Sequence, residues 1–130
     1  MLKTAEKYLQ LINGEYYKCF GKVAKVVGLT IESVGPEARL NDLCKIFLDN
    51  DRSDFVTAEV VGFRDSHLIL MPFDNVDGVG AGCIVENTGH PLSVCVGDEL
   101  LGHTVDGIGR ITDADCDDIK LPEAYPIEAP

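Results

Sequence analysis

A chain of 130 residues has room for one domain with a packed core and too little for two ordinary ones. Its 45% hydrophobic and 25% charged residues exclude a disordered chain, and no apolar run approaches membrane-spanning length. The net charge of −11 is unevenly placed: residues 1–40 carry six Lys/Arg against four Asp/Glu, and residues 41–130 carry five against eighteen. So acidic a surface repels phosphate backbones and argues against a nucleic-acid partner.

The chain opens with MLKTAEKYLQLINGEYYK. Leu2, Ala5, Leu9 and Ile12 recur there at three- and four-residue steps, with Tyr8 beside them and Lys and Glu on the other face. This pattern predicts a short amphipathic helix. Asn13-Gly14 ends it, because both residues tolerate the left-handed backbone of a helix C-terminus. The mixed charges leave no apolar centre of the signal-peptide kind, which points to the cytoplasm. So short a helix needs a surface to lie on, either this domain or a partner, and the sequence leaves both open.

From Gly21 the texture changes to strands. In GKVAKVVGLTIESVG, Val23, Val26 and Ile31 alternate with Lys22, Lys25 and Glu32, with a bulge or bend predicted at Val26-Val27-Gly28. Further β-like runs follow at 43–48, 55–63, 66–72, 82–88, 92–97 and 99–105. Turn signals separate them at Gly35-Pro36, Asp49-Asn50-Asp51, Arg64-Asp65-Ser66, Asp77-Gly78 and Gly89-His90-Pro91. Short strands with tight connections predict an all-β fold, a small closed six- or seven-stranded antiparallel β-barrel with a short N-terminal helix. The expected layout is a helix and lead-in over 1–20, the barrel over 21–112 and a linker over 113–130. The linker segment, DADCDDIKLPEAYPIEAP, holds three prolines and six acids.

The residues that carry chemistry elsewhere do not assemble here. Cys19, Cys44, Cys83, Cys95 and Cys116 are odd in number and widely spaced, with no metal-ligand spacing; they read as buried, reduced thiols, with Cys83 and Cys95 in apolar runs as small core residues. His67, His90 and His103 are scattered. Asp113 to Lys120 lacks the Gly and terminal Glu of a calcium loop. No phosphate-binding GxxxxGK[ST] is present, since the spacing from Gly14 to Gly21-Lys22 is too long and Val23 stands at the hydroxyl position. Gly78-Val79-Gly80-Ala81-Gly82 has Cys83 where a dinucleotide fingerprint wants glycine, and reads as a hairpin loop. Asn87-Thr88-Gly89 and Asp106-Gly107 imitate paired aspartic-protease loops, but position 87 offers an amide in place of a carboxylate. Catalytic, cofactor and metal residues are therefore all assigned as none.

The last glycine-rich stretch, LLGHTVDGIGRITD, spans residues 100–113. Alone it suits a sharp exit from a barrel, with Gly102, Gly107 and Gly109 permitting positive φ. It follows Gly35-Pro36…Leu43-Cys44, Glu59-Val60-Val61-Gly62-Phe63 and Leu70-Met71-Pro72 in order. That succession resembles the N-terminal domain of the flagellar and type III secretion ATPases, relatives of the rotary F1 subunits, over Gly21 to about Asp113. Three departures stand out: His103 where the family usually has arginine, Ile111 where it usually has proline, and Asn41 where glycine is common.

The resemblance implies a non-catalytic barrel. In that family ATP and Mg²⁺ bind in the following domain, whose P-loop, catalytic glutamate and arginine finger are absent before Pro130. The barrels are expected to crown a homohexameric ring. The preceding helix is expected to meet a regulatory, stator-like partner, which makes Leu2, Leu9 and Ile12 candidate partner-binding residues. The parent would work in the cytoplasm at the inner face of the bacterial membrane, beside an export apparatus. The fragment itself is expected to be monomeric, and Asp106 to be a turn residue. An autonomous β-barrel binding module, a small hydrolase, for which a nucleophile–base pair is missing, and a rotary ATPase subunit are the rival readings.

Overall fold

The computed structural model describes residues 20–113 and 121–128. The predicted N-terminal helix, with Leu2, Leu9 and Ile12, lies outside those residues. Six strands form the closed barrel: β1 (Phe20–Val27), β2 (Thr30–Val34), β3 (Asp42–Phe47), β4 (Phe55–Arg64), β5 (His67–Pro72) and β6 (Ile84–Pro91). Their order around the barrel is β1-β2-β5-β4-β3-β6, with β6 returning antiparallel to β1. The six-stranded alternative of the sequence reading is the one realised.

Period-two alternation builds the interior. On β4, Val56, Ala58 and Val60 point inward, and their neighbours Ile46, Cys44 and Leu70 meet them across the ladders. Ile31, Cys44, Ile46, Ala58, Val60, Leu70 and Val85 are all 0% exposed. With Val23 and Leu68 they form one continuous core, which Ala38, Val76, Val79 and Cys83 pack against. Removing this much apolar surface from water is what holds the barrel shut.

Two irregularities re-aim the strands. The register shifts between Val23 and Lys25 on β1, and between Val60 and Gly62 on β4. Val61 is left exposed at the second of these. The predicted break at Val26-Val27-Gly28 is instead a two-residue hairpin turn, because Val27 pairs with Thr30 across Gly28-Leu29. Gly28 supplies the positive φ (60°) that this turn needs at its first central position. The β4–β5 hairpin turns through Asp65 (φ 48°) and Ser66 (φ 67°), where the turn signal was read.

The start of β1 lies tight against the loop after β2. A Cβ on Gly21 would fall 2.1 Å from the Gly35 carbonyl carbon, so only glycine fits beside Gly35-Pro36. Buried Ser33 donates its hydroxyl to the Lys22 and Gly35 carbonyls. On the outer face, Glu32 is nearly buried between Lys25 (3.3 Å) and Arg64 (3.7 Å), whose stems shield it.

The chain divides into two compact units, Met1–Gly89 and His90–Pro130. The run 92–97, expected in the barrel, forms β7 (Ser93–Val96) and pairs instead with β8 (Glu123–Pro126) in a separate two-stranded sheet. The run 99–105, read as a strand, begins in a 3-10 turn at Asp98–Leu100 and contributes only an isolated bridge at Val105. The segment expected to be an extended linker thus contains a strand, with Val94 opposite Tyr125 and Cys95 opposite Ala124.

Candidate functional site

The last glycine-rich stretch, residues 100–113, folds as a short hairpin over 104–112. Thr112 donates its amide to Thr104 O (2.8 Å), Val105 bridges Ile111, and the Asp106 amide donates to Arg110 O (2.9 Å). Asp106 sits at the tip. Its carboxylate accepts from the amides of Ile108 (3.1 Å) and Arg110 (2.8 Å), while its carbonyl accepts from Gly109 (3.1 Å). A carboxylate whose Oδ1 takes two amides of its own turn has the role of a turn residue. Gly102 (φ 86°) and Gly109 (φ 81°) take the left-handed backbone expected of them, whereas Gly107, named with them, does not. Gly109 also lies directly on β7, where a Cβ would meet Val94 Cγ1 at 2.3 Å.

His103 and Asp113 close the neck of this hairpin. His103 Nδ1 lies 3.1 Å from Asp113 Oδ1, and the Thr104 amide donates to Asp113 Oδ2 at 3.0 Å. Desolvation works to raise the Asp113 pKa. The Thr104 amide, the His103 hydrogen bond and the His103 charge outweigh it and hold the carboxyl below its usual range. The contact is an ion pair only when the imidazole is protonated, and a hydrogen bond otherwise.

Asn41 has a simple account. Its φ is 71°, and its amide donates to Val60 O at 2.9 Å. The position demands left-handed backbone, which glycine takes freely and asparagine better than other side chains. Both residue types therefore serve there.

The other motifs resolve into structure. In the glycine loop, the Val79 amide is taken by Val76 O, the Gly82 amide by Val23 O, the Cys83 amide by Gly80 O and the Gly80 amide by Cys83 Sγ. A phosphate cradle needs such amides free and convergent, and this loop does not fit one. Nor is it a hairpin loop, since β5 and β6 are not neighbours and it crosses the barrel end between them. Asn87 donates to Glu37 O (2.9 Å) and Asp42 Oδ2 (3.2 Å), and Thr88 donates to Leu43 O (2.7 Å). These side chains reinforce the seam of β6 against β3 in place of protease chemistry.

The thiols differ by environment. Cys44 is buried in the core, where burial, aided by the Asp42 charge, pushes its pKa up to about 12. Cys83 is only half-buried and Cys95 is exposed, against the expectation of buried thiols, because Cys95 lies on β7 in the two-stranded sheet and not in the barrel. Among the described residues no three His, Cys, Asp or Glu are placed to hold a metal ion, and no helix is long and apolar enough to cross a membrane.

Sequence reasoning missed the pairing of the motifs with one another. Ala58, Glu59 and Val60 lie opposite Pro72, Met71 and Leu70, while Leu43 and Cys44 lie opposite Glu59 and Ala58. The three most specific barrel motifs therefore meet on adjacent strands β3, β4 and β5. Their spacing along the chain gave no sign of this, because register depends on turn length and the bulge.

Comparison with known proteins agrees with this geometry. The ATP synthase alpha/beta family, beta-barrel domain, matches residues 23–89. The flagellum-specific ATP synthase of Bacillus subtilis is 42% identical over 97 residues, covering 75% of this chain and 22% of that protein. The type 3 secretion system ATPase of Xanthomonas euvesicatoria is 36% identical over 94 residues, covering 72% of this chain and 21% of that protein. The assembled ATPase EscN of the enteropathogenic E. coli type III secretion system superposes with a TM-score of 0.70 at 28% identity, over 84% of this chain and 25% of EscN. EscN in complex with its central stalk EscO gives 0.69 over 84% of this chain and 26% of that chain, again at 28% identity. The chain spans about a quarter of the length of these relatives.

Proposed function

Because the chain belongs to the ATP synthase alpha/beta family through its β-barrel domain, we propose that it serves as the non-catalytic N-terminal barrel of a flagellar or type III protein-export ATPase. The observation that carries the reading is the 42% identity to a flagellum-specific ATP synthase across three quarters of the chain. In this reading ATP and Mg²⁺ bind in a domain beyond the barrel, and hydrolysis there drives export of unfolded substrates. The glycine loop spends the amides of Val79, Gly80, Gly82 and Cys83 on internal acceptors, which supports this reading.

The barrels crown one end of a homohexameric ring, much as the EscN structure is that of an assembled ATPase. Leu2, Leu9 and Ile12 present the surface for a regulatory, stator-like protein. The parent assembly works in the cytoplasm against the inner face of the bacterial membrane, beside the export apparatus. An acidic surface leaves nucleic acid without a place in it.

A chimera tests this reading. The chain is fused ahead of the remainder of the Bacillus subtilis protein, replacing its matching segment, and sedimentation is followed with MgATP. The expected result is a nucleotide-dependent ring, with the 130-residue chain alone monomeric at micromolar concentration and silent in MgATP calorimetry. Substituting Leu2→Asp, Leu9→Asp and Ile12→Asp is expected to leave the ring intact and abolish binding of the relative's regulator. A chain that binds MgATP by itself, or a folded chimera that never assembles, would overturn the reading.

A further inference from the structure

We propose that His103 and Asp113 form a pH-sensitive clasp at the neck of the 103–113 hairpin, closed more firmly when the imidazole is protonated than when it is neutral. The geometry is specific. One carboxylate oxygen faces the imidazole at 3.1 Å, and the other takes the Thr104 amide at 3.0 Å. The next rungs are Thr112 to Thr104 and the Val105–Ile111 bridge, so this pair is the outermost closure of the stem. The 3-10 turn Asp98–Leu100 adjoins it through the His103 amide, which donates to Leu100 O at 3.0 Å. That turn carries Asp98 and Glu99, and a Glu99 carboxylate oxygen lies beside Gly97. Asp106 and Arg110 are at the far end of the stem, where the Asp106 carboxylate holds the tip. Among the described residues, Asp113 is the acid that pairs with His103.

Histidine is the side chain that changes charge between about pH 5 and 8. Below that change the clasp joins a cation to a carboxylate, the Thr104 amide and the imidazole both favouring the ionised form of Asp113. Above it the neutral ring retains at most a hydrogen bond. The clasp therefore loosens as pH rises through the imidazole titration, and the stem with it. A permanently charged residue at 103 would remove that dependence.

The test uses the ¹⁵N-labelled 130-residue chain. Solvent exchange of the Thr104 and Thr112 amides is measured from pH 5.5 to 8.0, relative to the intrinsic rate at each pH. The imidazole is titrated in the same samples. Protection is expected to fall roughly two- to fivefold, the factor of a partly exposed ion pair, with the midpoint of the ring titration. His103→Arg is expected to hold protection high and flat, and His103→Gln low and flat. Asp113→Asn is expected to abolish the dependence, whereas Asp115→Asn and Asp117→Asn should leave it in place. Equal pH profiles in wild type and His103→Arg, or a wild-type profile that ignores the ring titration, would overturn the proposal.

Discussion

The two units of this chain are held by different physics. The barrel through Gly89 encloses a core whose central side chains are wholly inaccessible, and every strand of it pairs on both sides. The unit from His90 onward has no fully buried residue among those described, and its sheet has only two strands. A pair of strands without a core is marginal by itself. What organises that unit is local: Asp106 holding its own turn, Asp113 closing a stem, and Gly109 letting the hairpin lie on Val94. The comparison teaches where stability resides and where the chain can yield. Burial makes the first unit cooperative; hydrogen bonds and glycines shape the second.

Truncating the core gives the largest expected contrast. Leu70→Ala removes a side chain that is 0% exposed and should cost about 2–5 kcal/mol in denaturant unfolding. Tyr125→Ala on β8, where the ring is 56% exposed, should stay within about 0.5 kcal/mol of wild type. Equal costs would mean that the two units share one core.

Backbone conformation ranks next. Asn41→Val places a branched side chain at a φ of 71° and should cost about 1–2 kcal/mol, whereas Asn41→Gly should be close to neutral. In the second unit, Gly109→Ala meets both a left-handed φ and the Val94 side chain. It should raise amide exchange across residues 104–112 and leave the barrel transition unmoved. A fall in the barrel midpoint would break the distinction between the units.

Thiol chemistry reads the same contrast without disturbing the fold. With Cys19→Ser and Cys116→Ser as background, Cys95 should react first with a thiol reagent at pH 8. Cys44, its pKa pushed up to about 12, should react only on unfolding. Comparable rates for the two under native conditions would contradict the closed core.

The smallest effect is at acid pH. Asp49, bonded first by the Ser53 hydroxyl, and Asp113 are both held below the usual carboxylate range. A depressed native pKa gives stability that is present above the unfolded value and lost as pH falls through the native one. Asp49→Asn and Asp113→Asn should therefore each flatten the stability profile below about pH 4, the ordinary carboxylate range. Wild-type profiles in both variants would remove these two groups from the account.

How much of this was legible in the sequence follows the same division. Alternation announced β1 and β2, the β-like runs 55–63 and 66–72 announced β4 and β5, and the Asp65-Ser66 turn fell where its residue types pointed, because each barrel strand has one face in the core. Asp106 was legible as a turn residue through the family resemblance, the glycine-rich stretch being a weak signal by itself. Residues 123–126 were not legible as a strand. Their proline-flanked, exposed pattern carries no alternation, and only pairing with β7, some thirty residues earlier, defines them. The run 99–105 looked like a strand because Leu100, Leu101 and Val105 are apolar, yet Leu101 is 81% exposed and Gly102 turns the chain. The docking assignment of Leu2, Leu9 and Ile12 rested on periodicity and family resemblance, and those residues lie outside the described structure.

One measurement addresses the functional claim most directly. The chimera carrying this chain ahead of the remainder of the Bacillus subtilis flagellum-specific ATP synthase is expressed in cells lacking their own copy, and swimming is scored. The account predicts restored motility, weakened again when Leu70→Ala destabilises the barrel. A chimera that folds, assembles and hydrolyses ATP yet leaves the cells immotile would contradict the assignment of this barrel to protein export.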